Sequence, residues 1–274
     1  MITRRKSTVL LGALALLLGT LSLAACGGGE KTDNGPTAAG PGDNAPPAAA
    51  PAAAGAAGPT GTATVAGTVS YDGEVPNLKP ISMSADPTCA SKHSGGEVPS
   101  DVLTLGPNKE LGNVLVYVTS GLPDATWTAP STSVTIDQNG CLYHPHVAGL
   151  MVGQKLTFLN SDGLLHNVHA LPQVNQEFNI AMPADRKSAD HQFDQAEGVF
   201  RIKCDVHPWM SSYVAVLKHP FFAVTGTDGK FSIANLPAGT YTVEAWHEKL
   251  KTAPQTVTVT DGGTADVNFV FKRG

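Results

Sequence analysis

Apolar and polar positions alternate along short runs of the chain, and clusters of Gly, Pro, Asn and Asp separate the runs. A period of two marks a strand, because successive side chains leave a strand on opposite faces. On this pattern strands are expected at 63–71, 113–119 (NVLVYVT), 134–137, 155–160, 199–204 and 213–217. Asp72-Gly73 is the turn that ends the first of them. Beyond residue 224 the texture tightens: Thr227-Asp228-Gly229-Lys230 reads as a hairpin turn, followed by FSIANLPAGTYTVEAWHEKL and QTVTVTDGGTADVNFVF. No long segment carries a helical period, and the pattern leaves room for one short helix between Pro172 and Asp190. The expected fold class is all-β.

The first sixty residues are of another kind. Arg4, Arg5 and Lys6 precede a short apolar run over 9–23, and Leu23-Ala24-Ala25 leads into Cys26. A basic start, a short apolar stretch and small residues before a break describe an export signal. A cysteine at that break resembles a bacterial lipobox, which implies a signal peptide over 1–25 and lipid on Cys26. The competing reading, a membrane-spanning anchor, is disfavoured because the run is short of the roughly 20 residues a span requires. Arg4-Arg5 is only a weak twin-arginine signal, since no phenylalanine follows it. Residues 26–61 are almost wholly Ala, Gly, Pro, Asn, Asp and Thr with no aromatic residue. Such a segment buries too little apolar surface to offset its chain entropy, so it is expected to be a disordered tether.

Charge narrows the partners. The formal net charge is −5 and there is no basic patch interleaved with aromatics, so nucleic acid is not an expected partner. The cysteines beyond Cys26 are Cys89, Cys141 and Cys204. In an oxidising compartment thiols tend to pair, and an odd number leaves one as a free thiol or a metal ligand.

The run KCDVHPWM, residues 203–210, concentrates candidate chemistry. Phe200, Ile202 and Cys204 share one face of the preceding strand, and Arg201 and Lys203 share the other, so Cys204 closes a buried face. Pro208 then forces a turn. Sulfur and imidazole are thus presented from one tight loop. A core cysteine beside an unrelated surface histidine would have the same sequence, because free cysteine is commonly buried.

A second segment changes that balance. Asn160-Ser161-Asp162-Gly163-Leu164-Leu165-His166-Asn167-Val168 follows the strand QKLTFL, and Tyr143-His144-Pro145 and Val152-Gly153-Gln154 precede it. With Cys204-x-x-His207 downstream, the order and spacing resemble the plastocyanin-like cupredoxins. The resemblance implies a Greek-key sandwich over 131–218 and one mononuclear, type 1-like copper site. His166, Cys204 and His207 would be the equatorial ligands, and Asn167 would tie the ligand loops together. Two His and one Cys with a weak axial thioether form the blue-copper pattern. Met210 is the expected axial ligand, although only two residues separate it from His207 where the family has three or four. A binuclear copper site would need a second cysteine at position 200, which is Phe200. His169 is the alternative ligand; on a regular strand it faces away from His166. With Cys204 taken by copper, Cys89 and Cys141 are left to form a disulfide. His93, His144, His146, His219 and His247 are expected to be structural or solvated.

The last segment has its own resemblance. Thr227-Asp228-Gly229-Lys230-Phe231 and Leu236-Pro237-Ala238-Gly239-Thr240-Tyr241 are similar to carboxypeptidase regulatory-like, transthyretin-like β-sandwiches, expected over 219–274. Residues 62–130 are expected to form an N-terminal β region. Together the resemblances imply an exported, lipid-anchored copper protein, not an enzyme. It would pass single electrons between redox proteins such as c-type cytochromes or a terminal reductase, at the periplasmic or cell-surface side of a membrane. A copper-delivery module and a metal-free structural sandwich are the alternatives, and the same donors suit zinc. A cysteine hydrolase is disfavoured, since no oxyanion-hole signature accompanies Cys204.

Overall fold

A computed structural model describes residues 55–94 and 96–272, which fall within one compact unit. The expected signal peptide, the lipidation at Cys26 and most of the tether lie outside the described residues. In chain order the strands are β1 (Ala63–Tyr71), β2 (Leu115–Ser120), β3 (Val134–Asn139), β4 (Leu142–His144), β5 (Val147–Met151), β6 (Lys155–Asn160), β7 (His166–Leu171), β8 (Phe178–Met182) and β9 (Ser188–Gln192). They continue with β10 (Glu197–Lys203), β11 (Ser211–Leu217), β12 (Phe222–Val224), β13 (Lys230–Leu236), β14 (Gly239–Trp246), β15 (Gln255–Val259), β16 (Thr264–Asp266) and β17 (Phe269–Phe271). Among the described residues the chain is all-β apart from the short helix α1 (Pro87–Ser91), capped by Asp86 with Pro87 at its start. No helix stands between Pro172 and Asp190; β8 and β9 do. Phe178 and Ile180 are half-buried there and pack on the core, an alternation that a turn-rich context obscures.

The strands build two sandwiches. One pairs the sheet β5-β11-β10-β7-β8 with the sheet β4-β3-β6-β9. Ile136, Leu156 and Phe158 from one sheet meet Val168, Ile202, Val214 and Val216 from the other in a single core. The second sandwich pairs β12-β2-β14-β15 with β13-β1-β16, and β17 also runs beside β1. Residues 62–130 therefore form no separate body: β1 pairs with β13, β16 and β17, while β2 lies between β12 and β14. Val65 and Val69 of β1 share their core with Phe231, Ile233 and Phe269, and the sheet that holds β1 is completed only by strands some 160 or more residues later by sequence number. Nor does 227–230 close a hairpin. Gly229 donates to Gly226 O in a turn, but β12 and β13 belong to different sheets, so the turn is a corner between layers.

The two sandwiches are stacked. β5 and β11 are buried on both faces. Ala148, Leu150, Val214 and Val216 fill the first core, whereas Val147, Met151 and Ala215 fill the second. Contact is close at Gly149, where an added Cβ would lie 2.7 Å from the Phe222 ring.

Candidate metal centre

Two segments present the donors. β6 ends at Asn160, whose Nδ2 donates to Leu164 O (2.8 Å), Met182 O (3.0 Å) and Pro183 O (3.3 Å), fixing the loop that leads to His166. Gly163, at φ +66°, makes the reversal within that loop. β7 then starts at His166. On the other side β10 delivers Cys204, and the Cys204–Met210 loop is closed by Cys204 N donating to Met210 O (3.2 Å) and Met210 N to His207 O (2.9 Å). Asn167 joins the two: its Oδ1 accepts from Asp205 N at 2.6 Å, and its Nδ2 donates to Asn179 Oδ1 at 2.6 Å and Asp205 Oδ2 at 3.2 Å.

His166, Cys204 and His207 converge, with their donor atoms all within 4.8 Å of one another. His166 Nδ1 lies 2.9 Å from His207 Nδ1, and Cys204 Sγ lies 3.8 Å from His207 Nδ1. Donors bonded to one ion at roughly 2.0–2.3 Å lie about 3–4 Å apart, so this set fits a metal ion. All three side chains are buried, as is Met210. A thiolate with two imidazoles suits copper or zinc, and Met210 of the same loop shares the buried core with Cys204. Cys204 has its thiol pKa lowered: burial pushes it up, but His166 and the backbone N–H groups of Asn167, His207 and Val206 outweigh burial. His169 is not in the cluster. It lies on the outer side of β7, bonded at 2.8 Å to both Asp205 and Glu177.

Each imidazole is held from behind by a carboxylate that the sequence reading did not single out. His166 Nε2 meets Asp162 Oδ2 at 3.0 Å, and His207 Nε2 meets Asp86 Oδ2 at 3.2 Å. Such partners fix the tautomer and aim the other ring nitrogen at the metal. Asp162 also accepts from Gly140 N and Cys141 N, each at 2.8 Å, and pairs with Lys92 at 3.0 Å. Burial opposes its charge, but His166, Cys141 N–H and Lys92 outweigh that and hold its pKa at about 2. Burial likewise opposes the His166 imidazolium, yet Asp162 and Cys204 raise its pKa to about 9. Asp162 sits in what the sequence presents only as an Asp-Gly turn. Asp86 is the cap of α1, legible as Asp-Pro-Thr, but nothing local ties it to His207.

α1 thus forms a cover. Cys89, at its middle, is joined to Cys141 by a disulfide, and Cys89 Sγ lies 3.6 Å from His207 Nε2. Trp209 Nε1 donates to Cys141 O at 3.0 Å, so the ligand loop, the cover and the β3–β4 turn form one knot. His207 retains only 3 % of its surface.

The carboxypeptidase regulatory-like domain family matches residues 213–272. That span runs from β11 to the end of β17 but leaves out β1 and β2, which complete the same sandwich. Among solved structures the chain is similar to an oxidised amicyanin mutant, at 24 % identity over 31 % of this chain and 81 % of that one, with a TM-score of 0.28. It is similar to a purple cupredoxin from Nitrosopumilus maritimus, at 24 % identity over 31 % of this chain and 99 % of that one, TM-score 0.26. It is also similar to a copper-containing nitrite reductase from Thermus scotoductus, at 20 % identity over 38 % of this chain and 25 % of that one, TM-score 0.30. A comparison with curated protein sequences gives no match. The donors themselves, rather than these likenesses, define the site.

Proposed function

We propose that the protein is a mononuclear copper protein that carries single electrons. The observation that supports this reading is the buried convergence of His166 Nδ1, His207 Nδ1 and Cys204 Sγ, with a carboxylate behind each imidazole. Copper, when bound, supplies a one-electron couple; the chain's part is to hold the donors still. Asn167 locks the two ligand loops, Asn160 fixes the approach to His166, and Asp162 and Asp86 orient the rings. A site held this firmly has little to reorganise when its charge changes. The cover of His207 by α1 speaks against copper delivery, which needs an open path for the ion. In this reading the protein passes electrons between redox partners such as c-type cytochromes or a terminal reductase.

The test is the visible spectrum of the Cu(II)-loaded protein. An intense thiolate-to-copper band is expected, and Cys204→Ser removes it. A colourless Cu(II) complex with Cys204 shown to be reduced would sink the proposal. The lipid anchor at Cys26 belongs to the same proposal, motivated by Leu23-Ala24-Ala25-Cys26. Cys26→Ser is expected to leave the protein unprocessed or in the soluble fraction; normal processing and membrane retention of that variant would refute the anchor.

A further inference from the structure

Away from the donors, a cleft of about 670 Å³ opens where residues 76–78 and 102–103 meet the end of β14 and the segment after it. Its walls are apolar, with Leu78, Val102, Leu103 and Leu250 among them, and Leu78 is 37 % exposed. Its size falls within the range of small-molecule sites, which combine apolar walls with a few fixed polar groups.

His247 is one such group. It lines the cleft and is 6 % exposed. Its Nδ1 accepts from Lys249 N and Leu250 N, both at 3.2 Å. That leaves the proton on Nε2, because a neutral imidazole that accepts through one nitrogen donates through the other. Burial, the largest influence, keeps the ring neutral by depressing its pKa to about 4. Among the described residues Nε2–H has no hydrogen-bond partner. The two backbone hydrogen bonds hold the ring on the wall of the cleft, so Nε2–H is a donor free to meet an acceptor that enters it.

The rim is the second, independent feature. Lys249, Lys251 and Lys272 all line the cleft of a chain whose net charge is −5. Lys251 and Lys272 face each other across an isolated antiparallel bridge. Like charges in direct cross-strand register destabilise a sheet, and an anion between them reverses the sign. Lys272 reaches Asp72 at 3.1 Å, and Lys249 lies 4.0 Å from Glu248. Lys251 has no ion-pair partner among the described residues.

We propose that this cleft binds an anionic amphiphile, a carboxylate on an aliphatic chain. The chain lies against Leu78, Val102, Leu103 and Leu250, and the headgroup accepts from His247 Nε2–H and the ammonium groups of Lys251 and Lys272. Two backbone hydrogen bonds hold the His247 ring, and the bridge sets Lys251 and Lys272 side by side at the rim. The proposal is independent of the metal site.

The experiment is calorimetric titration of the full chain with decanoate below its micellar range, beside decanol, decylammonium and acetate. One equivalent of decanoate is expected to bind, roughly tenfold or more tighter than decanol, with no saturation by acetate or decylammonium. Lys251→Glu is expected to weaken decanoate roughly tenfold while far-UV circular dichroism and the melting temperature are retained. His247→Asn keeps an acceptor for the two backbone N–H groups but removes the Nε2–H donor, and is expected to weaken decanoate severalfold without affecting decanol. Equal affinity for decanoate and decanol, no binding of decanoate, or an unchanged affinity in Lys251→Glu would each overturn the proposal.

Discussion

At the scale of single residues, the candidate centre divides its labour between atoms that would touch the metal and atoms that aim them. Asp162 is the most heavily committed of the second kind, with bonds to His166, Gly140 N, Cys141 N and Lys92. Asp162→Asn keeps the shape but loses the charge behind the ring. Loss of such a partner typically costs about 10–100-fold in metal affinity. That drop is expected in a competition titration against a chelator of known affinity. Met210 shares the buried core with Cys204, and a long axial thioether tunes potential more than affinity. Met210→Leu is therefore expected to keep copper and raise the reduction potential, measured by voltammetry. His169→Ala, on the outer face, is the control and is expected to leave both spectrum and potential unchanged. A remodelled spectrum in His169→Ala with a silent Met210→Leu would reverse that assignment.

At the scale of elements, α1 is too short to be stable by itself, since isolated helices need about 12–15 residues. Its cap, the Cys89–Cys141 bridge and the Lys92–Asp162 pair hold it in position over His207. The bridge closes a loop of sequence separation 52, for which chain entropy predicts a contribution of about 4 kcal/mol. Replacing both cysteines by serine is expected to lower stability by a few kcal/mol in chemical denaturation. The same variant is expected to speed transfer of bound copper to a chelator in stopped flow, because the cover loses its tether. An unchanged transfer rate in a folded double variant would mean that α1 does not restrict access.

At the scale of the whole molecule, a buried polar cluster spans the two sandwiches. His146, just before β5, lies 2.7 Å from Glu248, just after β14, and 3.1 Å from Asp101. Tyr213 of β11 donates to Glu248 at 3.0 Å. Burial opposes charge on His146, but Asp101 and Glu248 outweigh it and raise its pKa to about 9. A folded-state pKa above the unfolded value near 6.5 stabilises the fold fully below about pH 6.5. That contribution is lost as pH rises through about 9. Urea midpoints are expected to fall between pH 6 and pH 10 by an amount worth roughly 1–3 kcal/mol. His146→Gln is expected to flatten the dependence; an equally steep fall in that variant would assign it to other groups.

Much of this molecule is legible along the chain. Alternation marks β1 and β6 to the residue, because an apolar side chain every second position has only a sheet face to serve. His166, Cys204 and His207 can be read as donors because each lies in a short motif at the end of a strand, where local spacing sets the geometry. The remainder depends on groups far apart in sequence. β1 and β2 could not be allotted to a sandwich from their own pattern, since an amphipathic strand records that it has a buried face but not which sheet covers it. Asp86 and His207 are separated by 121 positions, and no local rule joins a helix cap to a ligand loop. The sequence by itself determined which side chains are candidate metal donors. Tertiary structure decided which carboxylates stand behind them, what covers them, and that the two sandwiches share β5 and β11 between their cores, because each of these is a contact between distant segments that forms only when both are packed.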